Sequence, residues 1–565
     1  MKTFAILAGA ALAFAPVSVS AERGSDGHLR ILYWQAASTM NPYLSGIAKE
    51  VEAASLVLEP LARFDENGAL VPILAASIPT VENGDVSADL TSITWTLKED
   101  LKWSDGTAVT PEDVIFTWKY CTDEASGCAA LSMFDNVADV VALDDRTVKI
   151  SFTEPKPYPY TAFVSSEAPI LQKAQFAECT GARVAQCTRE NTFPIGTGPY
   201  VVDDFQANDV ISYSANPNFR HPDKPAFGTV TIKGGGDPAS SARAVLQTGE
   251  VDYAWNLQLP PDVLDQMKGG PGEVIAGNGS AVEFLFLNQT DPDPDLGEQR
   301  STVDGGAHPF LTDSRVGKAL SLAIDRSLIA ELLYGEAGRP GCAVVPAPAL
   351  YKSSTFDGCE TQDLEAAAAL LDEAGWVDSD GDGIRDKDGV KLSILYQTST
   401  NGVRQDTQAL IKQWWGEIGV ETELRNINAS VFFGGDPGSP DTRQKFYADV
   451  QMYTDNSKGQ DPESFLANWS CNDIPGPTTQ WQGNNIQRFC SEPYQVLIAE
   501  FRNAATLEER GRIAREMNDL LVGSYSIIPL VHRRILSGKA KSLEGVRMNS
   551  WDSQIWNIAD WHRGD

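Results

Sequence analysis

Residues 95–118 read "WTLKEDLKWSDGTAVTPEDVIFTW". The first part alternates apolar and polar residues, the pattern of a strand with one buried face. Asp105-Gly106 supplies a turn. Thr110-Pro111-Glu112-Asp113 then supplies a helix start: a capping hydroxyl, a proline at the first helical position and acids in the first turn. Strand, turn and helix in so short a span predict an α/β chain. The mixture extends to either side. "LRILYW" (residues 29–34) reads as a strand, "KEVEAASLVLEPLARF" (residues 49–64) as an amphipathic helix, and residues 70–190 as strand-rich with polar turns.

In "FPIGTGPYVVDDFQ" (residues 193–206), Gly196, Gly198 and Pro199 punctuate entry into another strand. This GxG is not a phosphate loop, because Pro199 lacks an amide and no Lys-Ser/Thr pair follows. Near residue 290 the texture changes to a Gly/Pro/Asp-rich connection, "NQTDPDPDLGEQRSTVDGGAHPF" (residues 288–310). Helical patterns follow at residues 312–335, 363–376, 402–419 and 492–522, with strands such as "KLSILYQ" (residues 391–397) between them, which predicts a second α/β unit. After Ser524, "YSIIPLVHRRILSG" (residues 525–538) returns to strand character.

A chain of 565 residues is too long for one core, so two or more domains are expected. The net charge of −32 sets up a field that repels phosphate backbones and anionic lipid, which argues against a nucleic-acid partner. Residues 1–21 read as a signal peptide: Lys2, an apolar stretch from Phe4 to Phe14, and the small-residue site Val19-Ser20-Ala21. The expected product is an exported protein beginning at Glu22. The eight cysteines fall into four close couples, and nearest-neighbour bridges are predicted: Cys121–Cys128, Cys179–Cys187, Cys342–Cys359 and Cys471–Cys490. No CxxC or Cys/His spacing supports a metal cluster. Five histidines, with no G-x-S-x-G, HExxH or Cys/His constellation, argue against an enzyme, and no cofactor is expected.

Taken in order, residues 95–118, "GTGPYVV" (196–202), "HPFLTDSRVGKALSLAIDRSLI" (308–329), "LLDEAGWVDSDGDGIRDKDG" (370–389) and "DPESFLANW" (461–469) resemble the family 5 extracytoplasmic solute-binding proteins. These are the dipeptide, oligopeptide and nickel receptors of ABC importers. The resemblance implies a two-lobed α/β periplasmic binding protein of the class II, cluster C type, with an extra subdomain in the first lobe. Its first lobe would span residues 22–290, including a subdomain at about 70–190. The second would span residues 291–520, with residues 521–565 returning to the first. A monomer is implied that captures a peptide or small solute in the periplasm and delivers it to a permease in the inner membrane.

In peptide-binding relatives the segment comparable to "YTDNSKGQDPESFLANW" (residues 453–469) reads D-Y-x-x-P, and its Asp holds the peptide ammonium. Matching by charge gives that role to Asp455, whereas matching without gaps puts Lys458 there. Lys458 would favour a carboxylate, as in an opine-like or sugar/amino-acid conjugate. Tyr453 belongs to the same stretch. Further candidates for the cleft are Trp255 and Asn256, a flat apolar face and an amide. Phe432, with Phe433 beside it, would form a wall, Arg404 would offer a guanidinium fork, and His532 lies in the returning strand. Asp378, Asp380, Asp382 and Asp386 mimic the first half of a calcium loop, but Gly389 stands where its closing acid belongs.

Overall fold

A computed structural model describes residues 22–504 and 506–564; the signal-peptide expectation lies outside them. Two sheets organise the chain. The first has seven strands in the order Gly272–Gly277, Ile535–Ala540, Tyr253–Ala254, His28–Tyr33, Thr229–Gly234, Val210–Ala215 and Tyr200–Gln206. The second has six: Gly338–Pro340, Ile527–Arg533, Val282–Leu287, Val450–Asp455, Ser393–Ser399 and Glu421–Ile427. Both mix parallel and antiparallel pairs. No helix among the described residues is long and apolar enough to cross a membrane.

The chain changes sheets in two places, and neither is where the sequence texture placed it. Val282–Leu287 already belongs to the six-stranded sheet, so the first crossing is at residues 278–281. The Gly/Pro/Asp-rich segment is instead a loop folded onto the second sheet, where the Asn288 amide donates to Phe446 O at 3.0 Å and Ala448 O at 3.1 Å. Ile527–Arg533, expected to return to the first lobe, stays in the second sheet, and only Ile535–Ala540 returns. The crossings touch: Arg533 N donates to Ala281 O at 3.0 Å.

Residues 92–152 form a separate three-stranded sheet, Ser92–Thr96, Thr147–Phe152 and Val137–Ala142, packed with helix Pro111–Thr122. Its core holds Trp95 and Trp103, both fully buried. The turn forms as its residues dictate. Gly106 takes a φ of 88°, which favours glycine, and Asp105 accepts from Thr107 N at 2.9 Å. At the helix start the Asp113 carboxylate accepts from Thr110 N at 2.9 Å and the Thr110 hydroxyl at 3.2 Å, and Pro111 opens the first turn. Gly196 and Gly198 have a different task. A Cβ on Gly196 would stand 1.9 Å from Val57 O, and one on Gly198 2.5 Å from Leu56 O. The glycines let two backbones meet.

The four predicted disulfides are all formed. Three helical expectations are corrected. The run at residues 312–335 breaks after Leu322, where the Asp325 side chain caps a new start by accepting from Leu328 N at 2.8 Å. The helix expected across residues 49–64 ends at Ala54, and Ala62–Phe64 instead pairs with Leu70–Pro72. The run at residues 492–522 splits into Glu492–Asn503 and Leu507–Ser524, because the Thr506 side chain caps a new start by accepting from Glu509 N at 3.2 Å.

Candidate functional site

Two adjoining cavities share Gly46, Glu167, Arg443, Asp455, Asn456 and Lys458: one of about 150 Å³ between the sheets, and one of about 90 Å³ between residues 129–133 and the six-stranded side. Val51, Glu52 and Trp255 face the larger one from the seven-stranded side, and Arg404, Phe433 and Tyr453 from the six-stranded side. Contacts across the gap hold the walls together. Ser280 Oγ donates to Ser457 O at 2.9 Å, and Ala36 N donates to Ser430 Oγ at 3.1 Å.

Strand Val450–Asp455 delivers the polar end of the site. It runs between Val282–Leu287 and Ser393–Ser399; Val450–Met452 pair on both sides, while Tyr453–Asp455 pair only with Val282–Phe284 and border the cavity. Tyr453 stacks on Phe286, ring centroids 4.3 Å apart, and the Arg443 guanidinium lies 5.0 Å from the Tyr453 ring. Among the described residues no carboxylate comes within 4.0 Å of Arg443, and its buried Nε has no hydrogen-bond partner. Asp455 likewise has no cation within that distance; its carboxylate accepts only from Asn456 N, at 2.9 Å. Burial raises the Asp455 pKa, and Arg443 and Lys458 only partly oppose it.

Lys458 lies 3.7 Å from Glu167, which the residue 70–190 region contributes. Burial works against the Lys458 charge, but Glu167, Asp552, Glu52 and Asp455 together outweigh it and raise its pKa. Glu167 is raised by its own burial, with Lys458 opposing. The cavity is therefore lined by four cations, Arg404, Arg443, Lys458 and Arg533, and by the acids Glu52, Glu167 and Asp455; among the described residues Arg443 and Asp455 have no ion-pair partner within 4.0 Å.

Trp255 forms an apolar wall, stacked 4.9 Å from Tyr33 and tilted against Trp34 at 5.8 Å, with its buried Nε1 lacking a partner. Asn256 borders the cavity too, in the left-handed region at φ 52°, and its Oδ1 accepts from Arg533 at 2.6 Å. The structure thus brings together Tyr453, Asp455, Lys458, Trp255, Asn256 and Arg404.

Three expectations are corrected. Arg404 is not a free fork: its Nε donates to buried Glu283 at 2.7 Å, and Thr454 accepts a further bond at 3.3 Å. Phe432 is wholly buried behind the wall, and Phe433 faces the cavity. His532 faces a different cleft, donates from Nε2 to Ala343 O at 2.9 Å, and is kept neutral by burial, its pKa lowered to about 4.

Asp378, Asp380 and Asp382 cluster with carboxylate oxygens within 4.8 Å of one another, but Asp386 turns away to bond Ser379. Lys391 pairs with Asp380 and Asp382, so the loop's own ammonium balances charge that a cation would otherwise meet. Sequence reasoning missed Arg443 and Glu167. Nothing in "DTRQKFYADV" (residues 441–450) distinguishes Arg443 from its neighbours; only the fold places it over Tyr453.

The family model described as bacterial extracellular solute-binding proteins, family 5 matches residues 69–477. The chain belongs to this family. Protein XP55 of Streptomyces lividans is 30% identical to this solute-binding protein over 432 residues, 76% of this chain and 72% of that one. The oligopeptide-binding protein OppA of Lactococcus lactis subsp. cremoris is 28% identical over 373 residues, 60% of each. Among solved structures, the oligopeptide-binding protein AppA of Bacillus subtilis, in complex with a nonapeptide, superposes with a TM-score of 0.81 at 18% identity, covering 96% of this chain and 100% of that one. The fold is that of a two-lobed α/β binding protein, and the charged cavity of this family 5 member lies between its two sheets.

Proposed function

We propose that this protein is the substrate-binding component of an ABC importer, and that it captures short peptides between its lobes. The observation that carries this reading is the pair of unmatched opposite charges in one cavity, the Arg443 guanidinium and the Asp455 carboxylate. A zwitterion answers both: its ammonium meets Asp455 and its carboxylate meets Arg443, in hydrogen-bonded geometry. The names of several relatives, which are oligopeptide- or peptide-binding proteins, point the same way. Trp255, Phe433 and Tyr453 then flank the chain, Asn256 offers an amide, and Lys458 with Glu167 closes the rim.

In this reading residues 1–21 are removed on export to the periplasm and the protein works as a monomer. The first lobe runs to the crossing at residues 278–281, and the second ends at Arg534. Closure about these crossings buries the ligand, and the closed form engages the permease. Calorimetric titration with di-, tri- and pentapeptides, each free and N-acetylated, tests it. Binding of free peptides with loss on acetylation is expected, and absence of binding to every peptide sinks the assignment.

A second reading, an opine-like or sugar/amino-acid conjugate, is favoured by the two cations Arg443 and Lys458 at one end of the site. It predicts tighter binding of ligands with two carboxylates than of any peptide in the same titration.

A further inference from the structure

Next to the interlobe cavity, and sharing Ala281 and Arg533 with it, a cleft of about 440 Å³ sits where the chain crosses between the sheets. Both crossings border it, through Asn278 and Ala281 on one side and Arg533 and Arg534 on the other; Arg339 and Lys352 complete its charged lining. The protein as a whole carries a net charge of −32, yet this cleft collects three arginines and a lysine against one acid, Glu336. Among the described residues, the exposed Arg339, Lys352 and Arg534 have no ion pair and no side-chain hydrogen bond. Like charges gathered without counterions repel one another, so the arrangement is costly when empty.

Arg533 sharpens this. It is 7% exposed, and its Nη2 donates to Asn256 at 2.6 Å, but its buried Nε and Nη1 have no hydrogen-bond partner. Glu283, at 3.9 Å from Nη1, is too far for a hydrogen bond and is already engaged by Arg404. Buried guanidinium N–H groups left unmet are expensive, and an oxyanion meets them in pairs. His532 adds no charge, being neutral and committed to Ala343.

We infer that this hinge cleft binds a small tetrahedral oxyanion of the phosphate or sulfate class, held by Arg533 with Arg339, Arg534 and Lys352. The cleft adjoins the interlobe cavity, with which it shares Ala281 and Arg533, while Arg339, Arg534 and Lys352 border the cleft and not that cavity; the inference does not rest on the peptide reading. An anion there ties together the two segments on which the lobes turn.

The experiment is a titration of the full mature chain with inorganic phosphate, against chloride at matched ionic strength, read by calorimetry and by thermal unfolding. Saturable one-to-one binding is expected, with Tm raised by about 1–3 °C once phosphate exceeds Kd tenfold. The triple variant Arg339→Gln, Lys352→Gln, Arg534→Gln changes only exposed, unbonded side chains. It should match wild type in chloride and bind phosphate at least tenfold more weakly. Arg443→Ala should bind phosphate as wild type does. No saturable binding by wild type, undiminished binding by the triple variant, or loss of binding in Arg443→Ala, which would move the anion into the peptide cavity, each overturns the assignment.

Discussion

Arg510 grips Asp461 through two hydrogen bonds, 2.8 Å from Nε and 2.7 Å from Nη2, and both side chains are almost wholly buried. Glu463 accepts a third at 3.0 Å, and the Tyr351 hydroxyl donates to Asp461 at 3.0 Å. The acid that opens the Asp461-Pro462 helix entry is thereby consumed by the fold, and Asp455 is left to face the cavity. Burial alone would lower the Arg510 pKa; Asp461 and Glu463 more than reverse it, so the network stays charged.

Arg510→Leu leaves buried Asp461 without a cation and Glu463 with Lys156 alone, 3.5 Å away. Breaking such a network from one side costs on the order of 3–5 kcal/mol, because the orphaned charges remain in a poorly solvated place. Chemical denaturation should show the midpoint fall accordingly. A midpoint within error of wild type would mean that Asp461 and Glu463 find water once Arg510 is gone.

Arg443 and Asp455 make the opposite case, since neither supports the fold through an ion pair. Arg443→Ala should leave Tm nearly unchanged and weaken peptide binding by about 2 kcal/mol or more, the cost of truncating one side of a desolvated charge contact. Asp455→Asn should do the same for free peptides and nothing for acetylated ones. Because burial raises the Asp455 pKa, wild-type affinity for free peptides should fall on acidification, and Asp455→Asn should lose that dependence. Glu167 and Lys458 face the same space, so a pH dependence that persists in Asp455→Asn would assign it to them.

Gly196→Ala tests the close approach of two backbones. Its Cβ would stand 1.9 Å from Val57 O and 2.6 Å from Val57 C, neither of which is a flexible side-chain end. Backbone must move, and a loss of about 1–3 kcal/mol or more is expected. Gly402→Ala is the control: it meets nothing within 4 Å and opens helix Gly402–Glu417, so it should be neutral or mildly stabilising. Equal stability of the two variants would remove the packing explanation for Gly196.

Local chemistry was legible in the sequence wherever the residues themselves carry it. The Asp105-Gly106 turn and the Thr110 helix start depend on neighbours a few positions away, and both form as read. The disulfide couples are near in sequence, so short loops suffice. What failed depended on distant partners. Arg404 was offered to a ligand because nothing near it in sequence shows that Glu283 will arrive beside it. Phe432 and Phe433 differ by one position and both pack against Tyr453, and only the tertiary fold decides that Phe433 borders the cavity. The crossing at residues 278–281 is short, and its turn residues Asn278-Gly279-Ser280 are overshadowed by the much longer Gly/Pro/Asp-rich loop that follows it.

Asp473 supplies the last test. It is half-buried beside the Cys471–Cys490 bridge, accepts from Asn484 Nδ2 at 3.1 Å, and has no cation within 4.0 Å among the described residues. Burial pushes its pKa from 3.8 up to about 7. The folded state therefore holds this proton more tightly than the unfolded one. Its contribution to stability is complete below about pH 3.8 and is lost as pH rises through about 7. In Asp473→Asn the side chain no longer titrates. The Tm of the variant minus that of wild type should accordingly climb between pH 4 and 7 and level off above, by a few degrees at most given the partial exposure. A difference that stays flat across this window would show that Asp473 ionises as an ordinary surface acid, and that solvent reaches it despite the disulfide loop.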